Sequence, residues 1–150
     1  MPAMIHWPDV VPAGCVSHDP VITHDLFPTI LQAAGVELDS ERMAKADGLS
    51  LLPMMEDPSA TLDREALFWH YPHYHAAGAR PYTAVRAGDW RAIHSYEDDR
   101  IELYNLAEDP GERNNLSKEL PEQAAKLRAM IDARRKEVDA QDPRPNPIYS

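Results

Sequence analysis

The apolar positions follow two different periods along the chain. Between residues 26 and 34, Leu26, Phe27, Ile30, Leu31 and Ala34 recur at helical spacing, and Gly35 follows as a natural helix-ending residue. Thr23 or Asp25 is placed to cap the start, and Pro28 falls in the first turn, where a missing N–H does no harm. Two short apolar runs precede this helix. Met4-Ile5-His6-Trp7, stopped by Pro8, and Val21-Ile22 each predict a short strand. Residues 36–63 are polar and turn-rich, with a small apolar insert at Leu49, Leu51, Leu52, Met54 and Met55.

From Glu65 the period becomes two. Strands are predicted over Ala66–Trp69, Thr83–Arg86, Trp90–His94 and Ile101–Tyr104, with Ala87-Gly88-Asp89 as a tight hairpin and Glu97-Asp98-Asp99 as a second turn. Val85, Trp90, Ala92, Ile101 and Leu103 alternate with Arg86, Arg91 and Glu102, which predicts an antiparallel sheet with one covered face. The cover is a helix that Pro121 opens and that runs to about Val138, with Ala124, Leu127, Ile131 and Val138 along one stripe. The last ten residues, QDPRPNPIYS, read as an extended tail. The expected class is α+β: about four antiparallel strands under a long C-terminal helix, after a strand–helix segment. The expected organisation is 1–63, 64–140 and a tail over 141–150.

Composition narrows the function classes. A chain of 150 residues has the length of one ordinary domain. A formal charge of −10 disfavours nucleic acid and anionic membrane as partners, because neither polyanion gains from meeting net negative charge. No apolar run approaches the roughly 18–20 residues that cross a bilayer. The start, MPAMIHWPDV, has neither the basic region nor the apolar stretch of a signal peptide. Cys15 is the single cysteine, which rules out an internal disulfide and a cysteine-rich zinc site and reads as a small apolar residue.

The densest chemistry is Phe68-Trp69-His70-Tyr71-Pro72-His73-Tyr74-His75, three imidazoles and four aromatic rings in succession. A zinc trio needs three converging ligands. On a strand His73 and His75 share a face while His70 points the other way, and Pro72 forbids a helical alternative. The bland reading makes Trp69 and Tyr71 core rings and the histidines hydrogen-bonded loop residues. The density of donors, followed by Arg80, also suits a lip for an anionic, hydroxyl-rich ligand. His6, His18, His24 and His94 read as structural. Arg86 and Arg91, beside the hairpin, read as surface or sheet-edge ion pairs.

Several signatures then line up in order. Ile5-His6-Trp7-Pro8 precedes Val21-Ile22-Thr23-His24-Asp25-Leu26-Phe27-Pro28-Thr29, then Asp47-Gly48-Leu49-Ser50-Leu51-Leu52-Pro53. Val85-Arg86-Ala87-Gly88-Asp89-Trp90, Glu102-Leu103-Tyr104-Asn105-Leu106, Asp109-Pro110-Gly111-Glu112 and Asn114-Asn115-Leu116 follow. The series resembles the C-terminal part of the type I, formylglycine-dependent sulfatases, of arylsulfatase or glycosaminoglycan-sulfatase type, in the alkaline-phosphatase-like superfamily. Phosphonate and phosphate monoester hydrolases share that architecture.

The resemblance implies a sulfated carbohydrate or aryl sulfate as substrate. It makes His70, His73, Tyr74, His75 and Arg80 the candidate substrate-binding residues, with no catalytic or metal residue in the chain. The family's formylglycine arises in a C-x-P-x-R-type motif, which Cys15-Val16-Ser17-His18-Asp19 does not match, and its calcium ligands have no counterpart here; both cofactors are expected only in a full-length enzyme. Asp9 also stands where the family usually has glycine. Met1 then reads as a start inside a longer frame, or as part of a split or truncated gene with an upstream sulfatase chain as partner. Alternatively the chain is a non-catalytic module for acidic glycans. Full-length relatives are commonly exported, to periplasm or extracellular space.

Overall fold

The computed structural model describes residues 3–36, 46–76 and 78–143. They form two compact units, residues 1–64 and 65–150. The extended tail expected at the C-terminus lies from residue 144 outside the described residues.

In the first unit a 3₁₀ turn at Thr23–Asp25 leads into helix α1, Leu26–Ala33. The helix closes as its sequence predicts: Gly35 takes φ +67 and the Val36 N–H returns to the Leu31 carbonyl at 2.9 Å. The two short strands expected before it are absent, and Met4–Trp7 and Val21-Ile22 have irregular backbone. The β-branched and aromatic residues Ile5, Trp7, Val21 and Ile22 favour extended backbone, but a strand also requires a neighbour's N–H and C=O groups, and neither segment finds a ladder among the described residues. The apolar insert becomes a short helix α2, Leu52–Glu56, with Leu51 and Met55 buried.

The inward side of α1, at Pro28 and Thr29, is anchored by polar contacts. Asp25 occupies the N-cap position but does not cap; its carboxylate, fully buried, accepts from the N–H of Ile22 at 2.8 Å and of Leu49 at 3.0 Å and pairs with Arg64. Thr29 donates to the Asp25 carbonyl and accepts from the Leu51 N–H at 2.8 Å. Gly48 makes this docking possible, since a Cβ there would collide with the His24 carbonyl. Leu26, Phe27 and Ile30 point outward, 46%, 56% and 64% exposed.

The second unit is an antiparallel sheet in the order β1-β2-β3-β4: Leu67–Tyr71, Tyr82–Ala87, Trp90–Ser95 and Ile101–Asn105. Gly88, at φ +58, takes the first of the two turn positions between β2 and β3, where a positive φ suits the twist of a hairpin. Helix α3, Pro121–Glu137, packs Ala124, Leu127 and Ile131 onto Val85, Ala92 and Leu103. Val138 falls past the end of α3 and is exposed, so the stripe is one residue shorter than its sequence suggests. Register sets the cross-sheet rows: Phe68, Val85, Ala92 and Leu103 form one under α3, and His70, Thr83, His94 and Ile101 form the next on the same face. The outer edge of β4 is covered, since Asn115 Oδ1 accepts from the Leu103 N–H and the Leu116 N–H donates to the Leu103 carbonyl.

Candidate functional site

Strand β1 carries Tyr71 to the end of the sheet, and Pro72, with no N–H for the ladder, ends the strand. The chain then loops out and returns at Tyr82. Within the loop the His75 N–H donates to the Ala79 carbonyl at 3.0 Å and the Gly78 N–H to the His75 carbonyl at 2.9 Å. His73 and His75 both set their rings against Tyr71, at centroid distances of 5.8 and 6.4 Å, and Tyr82 lies against Tyr71 at 5.9 Å. Alternation places Tyr71 and Tyr82 on the sheet face away from α3.

Tyr74 and Arg80 meet at one carboxylate. The Tyr74 hydroxyl donates to Glu97 Oε1 at 2.7 Å and the Arg80 guanidinium contacts Oε2 at 2.8 Å, from the turn between β3 and β4. The hydrogen bond to Glu97 raises the Tyr74 phenol above its ordinary value. Both donors remain open to solvent; Tyr74 is 70% exposed and the Arg80 side chain 68%.

His70 stands apart from these four. It lies on the face under α3, as alternation requires, and both of its nitrogens have partners. Nε2 is 2.8 Å from the Gln141 carbonyl, which can only accept, so in the neutral ring the proton sits on Nε2. Nδ1 then accepts from the Thr83 hydroxyl at 2.7 Å, and Thr83 in turn contacts the Tyr96 hydroxyl at 2.6 Å. Although partly open to solvent, His70 fastens the segment after α3 to the sheet. Among the candidate residues, His73, Tyr74, His75 and Arg80 share one loop, and His70 is directed to the opposite face.

One neighbour escaped the sequence reading. Glu97 looked like one of three turn acids, and only the pairing of distant strands reveals which one reaches the loop. Asp98 is held by Arg100, and Asp99 by His94 at 2.8 Å and Arg128 at 3.1 Å. The bonds from His94 and then Arg128 keep the Asp99 carboxyl below its ordinary value. His94 is a buried structural group, 3% exposed. Of the hairpin arginines, Arg91 pairs with Glu112 and stacks over Trp69 at 5.9 Å, while Arg86 donates to the Gly88 carbonyl. Among the described residues no three His, Cys, Asp or Glu side chains gather as a metal site, and no helix is long and apolar enough to cross a membrane. Cys15 is exposed rather than buried, against the expectation for a small apolar residue, because it lies in a loop whose residues 12–18 are all exposed.

The profile of the family described as N-sulphoglucosamine sulphohydrolase, C-terminal, matches residues 1–141. A sulfatase of Formosa agariphila is 33% identical over 82% of this chain and 24% of its own length. An N-acetylglucosamine-6-O-sulfatase of Bacteroides thetaiotaomicron is 32% identical over 95% of this chain and 26% of its own. The solved structure of BT4656 in complex with its substrate, D-glucosamine-2-N,6-O-disulfate, superposes with a TM-score of 0.75 at 31% identity, covering 91% of this chain and 28% of that one. The chain thus spans about a quarter of the length of the curated relatives it matches.

Proposed function

Since the chain belongs to the sulfatase family, as its N-sulphoglucosamine sulphohydrolase-type C-terminal region, we propose that it supplies the substrate-recognition rim of a sulfuric ester hydrolase acting on a sulfated sugar. The carrying observation is the loop between β1 and β2, which presents His73, Tyr74, His75 and Arg80 to solvent from a rigid sheet end. These side chains offer hydrogen-bond donors and positive charge to sulfate and hydroxyl oxygens, on a molecule whose net charge is otherwise negative. His70 belongs to the same proposal as the side chain that fixes the strand end from behind.

The chemistry of S–O cleavage requires an activated oxygen nucleophile and a cation against the sulfuryl oxygens. The surroundings of Cys15 do not fit a formylglycine precursor, and the described acidic and imidazole groups do not fit a calcium cage, so no catalytic step is assigned to this chain. Release of a chromophore from an aryl sulfate by the isolated chain is expected to stay at the level of a heat-killed control. In a titration with N-acetylglucosamine 6-sulfate, NMR signals of His73, Tyr74, His75 and Arg80 are expected to move more than with N-acetylglucosamine. Turnover above the control, or equal response to both sugars, would overturn the reading.

A second reading, a split sulfatase completed by a separate chain, draws support from the outward apolar side of α1 at Leu26, Phe27 and Ile30. An adjacent upstream frame encoding a C-x-P-x-R motif would favour it.

A further inference from the structure

We propose that Glu97 is an internal occupant of the oxyanion site formed by Tyr74 and Arg80, and that a sugar oxyanion must displace it to bind. The inference rests on the recognition-rim reading and adds to it a residue that sets affinity and selectivity. One carboxylate oxygen of Glu97 takes the Tyr74 hydroxyl at 2.7 Å and the other takes the Arg80 guanidinium at 2.8 Å. A phenol and a guanidinium converging on two oxygens of one anion is also the arrangement that a sulfate ester or a uronic carboxylate would select.

Two observations separate Glu97 from an ordinary surface ion pair, and a third makes it displaceable. Its two neighbours in the turn are held nearby, Asp98 by Arg100 of the same turn and Asp99 by His94 of β3 with Arg128 of α3. Only Glu97 crosses to the loop between β1 and β2, and it engages two of the four exposed rim residues. The contact is also easily given up: Arg80 is 68% exposed, and an ion pair this open shifts an equilibrium by only ~5-fold or less. Arg80 and Tyr74 are therefore already oriented by an anion, while the anion that orients them is replaceable. Glu97 also repels an incoming anion that does not engage both donors, so it discriminates against weak competitors.

Calorimetric or NMR titration of this chain with N-acetylglucosamine 6-sulfate, glucuronate and neutral N-acetylglucosamine tests the proposal. Glu97→Gln keeps the shape and removes the competing charge. It is expected to tighten binding of an anionic sugar ~2–5-fold and leave the neutral sugar unchanged. A gain for the 6-sulfate or for glucuronate identifies which oxyanion the site prefers. The gain should vanish in Glu97→Gln/Arg80→Gln. If Arg80→Gln weakens binding while Glu97→Gln leaves it equal or weaker, the rim stands and Glu97 is only a scaffold, which overturns the inference. If Arg80→Gln changes nothing and Glu97→Gln gains nothing, the rim reading fails and the inference falls with it.

Discussion

The two units differ in what fills their most buried positions. In residues 65–150 the interior is a sheet–helix core of Val85, Ala92, Leu103, Leu127 and Ile131, with Thr83 and His94 buried beside it. In residues 1–64 the fully buried side chain is Asp25, paired with Arg64 and tied to backbone N–H groups, with Leu51 and Met55 as a small apolar complement, while Leu26, Phe27 and Ile30 of α1 face out. An apolar core is non-directional and tolerates adjustment, whereas a desolvated ion pair works only while every partner is in place. The first unit is thus organised by geometry and the second by burial.

The sharpest way to break this contrast is to remove the carboxylate. Asp25→Ala is expected to destabilise residues 1–64 by about 3–5 kcal/mol, because Arg64 would be left buried without its partner. Hydrogen exchange should show lost protection around α1 and no change in the strands. Next in size, Leu127→Ala is expected to cost about 2–5 kcal/mol and to act in reverse, loosening the sheet and α3 while sparing α1. If either variant loosens both units equally, the division into two kinds of interior is wrong.

pH gives a third, more graded separation. Burial alone would raise the Asp25 carboxyl, but the Arg64 guanidinium and the N–H groups of Ile22 and Leu49 outweigh it and hold it below the ordinary 3.8. Its contribution is present above 3.8 and is lost as pH falls through the lower folded value, so acid should loosen the first unit around α1. Burial, and then the Glu102 charge, push Tyr104 up to about 12 from an ordinary 10, so its contribution is present below 10 and fades as pH rises towards 12. Methyl NMR signals followed across pH should report acid loss in residues 1–64 and alkaline loss in the sheet. The smallest effect belongs to Glu97→Gln, which is expected to change melting stability by less than about 1 kcal/mol because the contact is exposed.

How much of this was legible in the sequence follows the same division. The four strands, their hairpin and α3 follow from local periodicity, and the structure reproduces them within a residue or two at each end. The short strands expected around Ile5 and Val21 failed because strand formation depends on a partner that periodicity does not report. Asp25 read as a helix cap, and its real partner, Arg64, is 39 residues away. Alternation along β1 already separated His70 from His73 and His75, but its bonds to Thr83 and Gln141 depend on cross-strand register and on where α3 ends. Glu97 was hidden in an acidic turn for the same reason.

Alternation along β1 has one more consequence. A single-residue insertion or deletion ahead of His70 would exchange neighbours between the two sides of the ribbon, sending Tyr71 under the end of α3 and freeing the imidazole that clasps Gln141. The placement of the loop side chains and the clasp on Gln141 are therefore inherited together, since both hang on the parity of one short strand.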